Sequence, residues 1–119
     1  MSSGRNLDQI LLEALDTVLP DCAVPVLYTG EALEYIVWNY EQLGQVFADG
    51  RPDAARYLIQ VHYFLPNGQN PNAKKVSIAQ ALAGAGCTWP DVTNASDKEG
   101  QHYVLECQYT DGGLAHGYA

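Results

Sequence analysis

Three histidines are the side chains of this sequence best suited to acid–base or metal chemistry. His62 and His102 each lie in a stretch typical of a β-strand, and His116 lies in a glycine-rich C-terminal segment. None has a second histidine or a cysteine at the spacing of known metal sites. If the two strands are neighbours, His62 and His102 could pair and act with Glu106, which makes a small histidine-dependent enzyme one alternative. Sheet histidines that simply satisfy hydrogen bonds are far more common.

The carboxylates and cysteines suggest no other reactive arrangement. The pairs Glu31/Glu34 and Asp97/Glu99 fall in turn-like, solvated segments, whereas general acid–base catalysis needs a buried carboxyl with a shifted pKa. No CxxC pair occurs, and the cysteines have no histidine close by in the sequence. We therefore expect free, mostly buried thiols in a reducing compartment, and no catalytic residue, cofactor or metal. The cysteines are Cys22, Cys87 and Cys107.

The composition narrows the classes of function. The chain has 119 residues and a net charge of −8, from 14 acidic and 6 basic side chains. Nucleic-acid affinity comes largely from Lys and Arg that neutralise phosphates, so specific DNA or RNA binding is not expected. No apolar run is long enough to cross a membrane, and no secretory signal opens the sequence. These features indicate a soluble protein made in a cytoplasm.

An amphipathic helix opens the domain. Asn6 is a good N-cap, and Gln9 follows at the spacing of a capping box. Apolar residues then recur at helical spacing up to Leu19, and Pro20 stops the helix. Its apolar stripe must lie on a sheet.

Strand patterns fill most of the remaining chain. Pro25 cannot donate to a ladder, so the first strand is expected at an edge of the sheet. The strand at 56–65 carries apolar bulk on both faces, which is typical of a central strand covered on both sides. The expected extended segments are 23–29, 34–40, 56–65, 87–94 and 101–109, the last two forming a hairpin.

These elements predict an α+β fold. We expect a small mixed or antiparallel sheet of about four or five strands with two helices packed on one face, in the order α-β-β-β-α-β-β. A single domain spans residues 7–110, and residues 1–6 and 111–119 are expected to be flexible ends.

Residues 41–53 show neither helical nor strand periodicity. This segment contains Gly44, Asp49-Gly50 and Pro52, and we interpret it as a loop of about a dozen residues. Such a long loop suggests either a docking surface for a neighbouring subunit or a segment that folds back over a sheet edge.

The second helix, expected from Pro71 to Ala85 with Asn70 as its N-cap, is apolar nearly all round. A helix of this kind is usually covered on more than one side, by the sheet and here by another subunit. The candidate residues for an oligomer or partner interface are Leu43, Val46, Phe47, Ile78, Ala81, Leu82 and Ala85.

Four stretches carry a family resemblance, which covers roughly residues 7–110. They resemble small structural proteins of tailed bacteriophages and prophages, most closely the tail terminator (tail-completion, head–tail joining) proteins of long-tailed phages. No motif among them is catalytic or individually diagnostic. The stretches are Tyr35–Tyr40, Arg56–Phe64, Asn70–Lys75 and Glu99–Glu106.

The resemblance implies a virion structural protein rather than an enzyme. A tail terminator assembles as a ring, a hexamer in that family, on the last ring of tail tube protein and beneath the head–tail connector or stopper protein. DNA only passes through the lumen, and the net charge of −8 is consistent with an acidic lumen. Assembly would occur in the bacterial cytoplasm, and the protein would reside in the tail or neck of the virion. Another neck, minor tail or head-completion protein of the same phages is the alternative.

Overall fold

The computed structural model describes residues 6–48 and 51–111, and for residues 44–48 and 51–54 it describes the strand backbone alone. The predicted α+β fold and its order of elements are confirmed. In chain order the elements are α1 (Leu7–Asp16), β1 (Ala23–Pro25), β2 (Tyr35–Ala48), β3 (Arg51–Leu65), α2 (Asn72–Gly84), β4 (Asp91–Asn94) and β5 (Gln101–Asp111).

The five strands form one mixed sheet in the order β1-β2-β3-β5-β4. β1 runs parallel to β2, and the other neighbouring strands are antiparallel. β3 is the central strand, as its apolar composition predicted. β1 lies at an edge, as Pro25 required, and the predicted hairpin between the 87–94 segment and the last strand is confirmed as β4–β5.

The first helix begins with the capping box that the sequence predicted. The Asn6 side chain accepts from the Gln9 backbone N–H at 2.9 Å, and Gln9 Oε1 accepts from the Asn6 N–H at 3.1 Å. These bonds satisfy two of the N–H groups that a helix start leaves without partners. α1 ends at Asp16, before Pro20, the residue that the sequence indicated as the stop.

Both helices pack on the same face of the sheet and form the core with it. Asp8 fixes α1 in place, because its carboxylate oxygens accept from Trp38 Nε1 and from the Tyr40 hydroxyl, each at 3.1 Å. The largest fully buried side chains are Trp38, Tyr63, Leu11, Leu15, Ile36, Ile59, Ile78, Leu82, Leu105 and Val61.

The opposite face of the sheet, here called the open face, is not covered by either described helix. In β3, Ile59 and Val61 are fully buried on the helix side, whereas Leu58, Gln60 and His62 on the open side are half-buried. The prediction that this strand is covered on both sides is therefore wrong for a single chain. The reason is that α1 and α2 share one face.

The loop predicted at residues 41–53 is also wrong. β2 and β3 continue their antiparallel pairing through this segment as far as Ala48 and Arg51. Gly44 and Pro52 suggested a loop, but both lie at register shifts of the ladder, where bulges accommodate such residues. A strand hairpin replaces the loop.

This hairpin extends beyond the other described strands of the sheet. The last described residue of β5, Asp111, pairs with Ala55, so residues 44–48 and 51–54 pair only with each other among the described residues, and we call them the arm. The radius of gyration is 15.7 Å, compared with roughly 13 Å for a compact domain of this length. The molecule measures 54 × 25 × 23 Å. In the described part of the chain, no helix has the length and apolarity needed to cross a membrane.

Candidate functional site

The interface residues predicted on the second helix divide into two groups. Ile78 and Leu82 are fully buried in the chain's own core against the sheet, so they are not available to a partner and their assignment is corrected. Ala81 and Ala85 are half-buried and line a cleft of about 500 Å³ with Ile10 of α1. Their short side chains leave that cleft open between the two helices.

The interface residues predicted before β3 lie in or next to the arm. Leu43 is exposed at the first register shift of β2. Val46 and Phe47 lie in the β2 strand of the arm, and their side chains are outside the described residues. The candidate docking segment is therefore a strand with one bulged, exposed leucine.

The outer edge of β2 is open along the part of the strand that leads into the arm. The Ile36 N–H donates to the Cys22 carbonyl and the Trp38 carbonyl accepts from the Val26 N–H, each at 2.8 Å. Successive residues of a strand point their backbone groups to opposite sides. Tyr40 and Gln42 therefore present an N–H and a carbonyl outward, where no described strand pairs with them.

The open face brings His62 and His102 together. His62 Nδ1 and His102 Nε2 lie 2.9 Å apart, and Asn39 Nδ2 lies 3.4 Å from His62 Nε2. Because the amide nitrogen of Asn39 can only donate, His62 Nε2 is the acceptor of that bond. The ring proton of neutral His62 therefore lies on Nδ1, which donates to His102 Nε2.

Both histidines favour the neutral form. Burial lowers the pKa of His62, and the neighbouring His102 lowers it further. Burial also lowers the pKa of His102, with Asp97 opposing that shift. The pair is therefore a hydrogen-bonded, uncharged unit near neutral pH.

Glu106 does not complete a catalytic set with these histidines. Its carboxylate accepts from Gln60 Nε2 at 3.1 Å, on the row of the sheet next to the one that holds His62 and Val104. His116 lies outside the described residues. Within residues 6–48 and 51–111, no group of three or more His, Cys, Asp or Glu side chains could hold a metal ion.

A row of stacked rings crosses the open face next to the histidine pair. Ring centroids are 4.6 Å apart for Tyr28 and Tyr35, 4.7 Å for Tyr35 and Phe64, and 4.2 Å for Phe64 and His102. The sequence did not predict this row, since it depends on strand register and on the loop that carries Tyr28. Once β2, β3 and β5 are known to be paired, their alternation gives three of its four members.

Exposed aliphatic side chains lie beside this row, two of them directly after β1 and one in the segment before β2. Val26, Leu27 and Leu33 are 76%, 70% and 75% exposed, and we call them the β1-edge patch. Each borders one of two clefts, of about 230 and 420 Å³, that share Tyr35 and Phe64 as lining residues. Exposed apolar side chains that border clefts make this region a candidate interaction site.

A second exposed apolar pair lies at the other edge of the sheet. Trp89 and Val92 are 62% and 46% exposed, and we call them the β4-edge patch. The Thr88 N–H donates to the Gln108 carbonyl at 2.9 Å, which holds this segment along the outer side of β5. This pair therefore lies at the opposite edge of the sheet from Val26 and Leu27.

The cysteines and the acidic pairs are engaged in structural contacts or lie in solvent. All three cysteines are free, and Cys87 and Cys107 are buried. The hydrogen bond that the Cys107 thiol donates to Cys87, together with burial, raises the pKa of Cys107. Glu34, expected to be solvated, instead accepts from the Tyr63 hydroxyl, and burial together with that carboxylate raises the pKa of Tyr63.

A scan against protein-family models gives no match to this chain, and a search of curated proteins gives none. Function is accordingly inferred from the surfaces described above and from the resemblance of the four sequence stretches.

Proposed function

We propose that this protein is a virion structural protein, a tail terminator that forms a ring between the tail tube and the head connector of a long-tailed bacteriophage. The observation that carries the proposal is the β2–β3 hairpin, whose arm extends beyond the other described strands and whose outer β2 edge pairs with none of them after Trp38. The family resemblance supplies the biological setting, and the hairpin supplies the means of assembly.

The hairpin supports assembly because an unpaired strand edge binds other chains. Native proteins usually protect such an edge with charges, prolines or a covering segment. Between Asn39 and Leu43 the only charged side chain is Glu41, and the strand stays extended. An edge of this kind suits strand addition by a neighbouring subunit or by the tail tube protein.

The charge of the protein supports a role around DNA without binding to it. A net charge of −8 repels phosphates, since affinity for DNA requires basic side chains that displace counterions. A ring of such subunits lets DNA pass through its lumen. Its two faces would contact the tail tube protein and the connector or stopper protein.

Assembly state is the direct test of this proposal. Mass photometry and negative-stain imaging of the purified protein, alone and with tail tube protein, should show a closed ring, six-fold as in the family it resembles. A protein that stays monomeric even with tube protein present would contradict the proposal. Density for the protein away from the tail end would favour another neck or minor tail component.

The open edge allows a sharper test with a matched control. Gln42→Pro removes an outward backbone N–H group that donates to no described strand, whereas Gln42→Ala keeps that N–H group. We expect the proline variant to fold but to lose assembly, and the alanine variant to assemble as the unmodified protein does. Equal assembly of the two variants would show that this edge is not a contact.

A further inference from the structure

The loop between β3 and α2 contains an asparagine followed directly by a glycine. Asn67 and Gly68 are both exposed, and Gly68 has a φ of +92°, a conformation that glycine adopts without steric cost. Asn67 is the only asparagine of the sequence that precedes a glycine. Asparagine is a thermolabile residue, because its side-chain amide reacts with the backbone nitrogen of the next residue when that nitrogen is accessible.

The surroundings of Gly68 leave its backbone nitrogen accessible. The Gly68 N–H group makes no hydrogen bond to any residue that the structure describes. A Cβ atom at this position would meet no atom beyond its chain neighbours within 4 Å. Other asparagines lack these features: Asn70 precedes Pro71, which has no N–H group, and Asn72 begins α2.

The Asn67 side chain also joins two loops. Its Nδ2 atom donates to the Lys98 carbonyl at 3.1 Å and connects the β3–α2 loop to the turn between β4 and β5. Gln101 makes neighbouring bonds, since its Nε2 atom donates to the carbonyls of Pro66 and Gln69 at 2.9 and 2.7 Å. Gln101 is the first residue of β5, whereas Lys98 lies in the turn itself. Asn67 therefore holds the turn.

We propose that Asn67 is a site of spontaneous deamidation, and that its conversion releases the turn at residues 97–100 from the β3–α2 loop. The Gly68 nitrogen loses its proton to solvent base and bonds to Asn67 Cγ, which closes a succinimide ring. The bond from Cγ to Nδ2 breaks, and the amide nitrogen takes up a proton and leaves as ammonia. Water then opens the ring at either carbonyl and gives aspartate or isoaspartate, with no oxidant or reductant involved.

The product does not make the contact that Asn67 makes. A carboxylate only accepts hydrogen bonds, so it faces the Lys98 carbonyl without a donor. It also adds one negative charge to a chain of net charge −8. The Lys98 ammonium is already flanked in sequence by the carboxylates of Asp97 and Glu99, which line the cleft of about 420 Å³. The lost donor and the added like charge both loosen the turn on that side of the cleft.

Ageing of the purified chain at mildly alkaline pH tests the site. Peptide mapping by mass spectrometry should show conversion at position 67 at a rate close to that of the same chain unfolded in urea. Asn67→Gln requires a larger ring that closes more slowly, so conversion at this position should be lost. A folded chain that converts at least roughly tenfold more slowly than the unfolded chain would overturn the site, because a local opening step would then be needed.

Hydrogen exchange tests the release of the turn. The Asp97 and Gly100 N–H groups donate to each other's carbonyls, and the Glu99 N–H donates to the Asp97 side chain at 2.9 Å. In an Asn67→Asp chain these three amides should exchange faster than in the unmodified chain, while the amides of α1 exchange at the same rate.

Asn70→Asp is the matched control for charge. It adds the same charge to the same loop and keeps Asn67, and its side-chain oxygen still accepts from the Asn72 N–H. Exchange in the turn should therefore stay as in the unmodified chain. Unchanged exchange in the Asn67→Asp chain, or equal acceleration in both variants, would overturn the release. None of these measurements depends on ring assembly, so their failure leaves the proposed function to its own tests.

Discussion

The two faces of the sheet are built from alternating residues of the same strands, yet they are stabilised differently. On the helix face of β3, Ile59, Val61 and Tyr63 are fully buried. On the open face of the same strand, Gln60 and His62 are half-buried and contact their cross-strand neighbours through hydrogen bonds. In β3, the residues on the helix face are stabilised by burial, and those on the open face make lateral hydrogen bonds to β5.

The residues that stabilise the fold and those that are available for interaction therefore lie on different faces of the sheet. Burial beneath two helices lets the domain fold without cover on its second face. The open face is therefore free to carry the row of stacked aromatic and histidine rings, the histidine pair and the clefts beside the β1-edge patch. Substitutions on the two faces should accordingly affect different measurements.

The largest expected effect is on the helix face, and two adjacent residues test it. Ile59→Ala should lower the free energy of unfolding by about 2–5 kcal/mol, because it leaves a cavity in the core. Leu58→Ala, one position away on the open face, should cost only about 1 kcal/mol, since its side chain is already partly solvated. Urea denaturation at a concentration where the protein is monomeric measures both. Equal losses would mean that the open face is covered in solution.

A smaller effect is expected where α1 is joined to the sheet. Asp8→Ala removes the acceptor for Trp38 Nε1 and the Tyr40 hydroxyl and should cost about 1–2 kcal/mol. Asp8→Asn keeps one acceptor oxygen and should cost less. Denaturation of the three proteins in parallel measures this series, and an Asp8→Ala protein as stable as the unmodified one would contradict it.

The smallest effect is on the open face and depends on pH. The folded-state pKa of His62 and of His102 is lowered by burial, so below about pH 6.5 the unfolded chain binds protons that the folded chain does not. Stability should fall as pH decreases from 7 to 5. A double His62→Gln/His102→Gln variant should show a flatter profile in that window, measured by thermal unfolding. An unchanged slope in the double variant would assign the pH dependence to other groups.

Local chemistry made part of the fold predictable from sequence. The capping box of Asn6 and Gln9 and the edge position of the Pro25 strand depend on a few neighbouring residues, and both are confirmed. The hairpin through residues 41–53 was missed because its apolar and polar residues do not alternate with the period of a strand. Its glycine and proline then suggested a turn.

The candidate site was less predictable because it depends on tertiary placement. The second helix is apolar nearly all round, so its sequence does not distinguish the side that meets the sheet. Ile78 and Leu82 turned out to be core residues for that reason. Val26 and Leu27 gave no periodic signal, since Val26 has a φ of +67° and the strand pattern ends after Pro25.

The β2–β3 hairpin also bears on the order in which the chain folds. Its strands pair residues as close in sequence as Ala48 and Arg51, whereas β3 and β5 join residues as distant as Ala55 and Asp111. Contacts between near neighbours form faster because they close shorter loops. We expect pulsed hydrogen-exchange labelling during refolding to show protection of β2 amides before those of β5. The nascent protein would then hold a formed but unshielded hairpin before its core is complete, and under the proposed ring assembly this order favours prompt assembly over accumulation of free subunits.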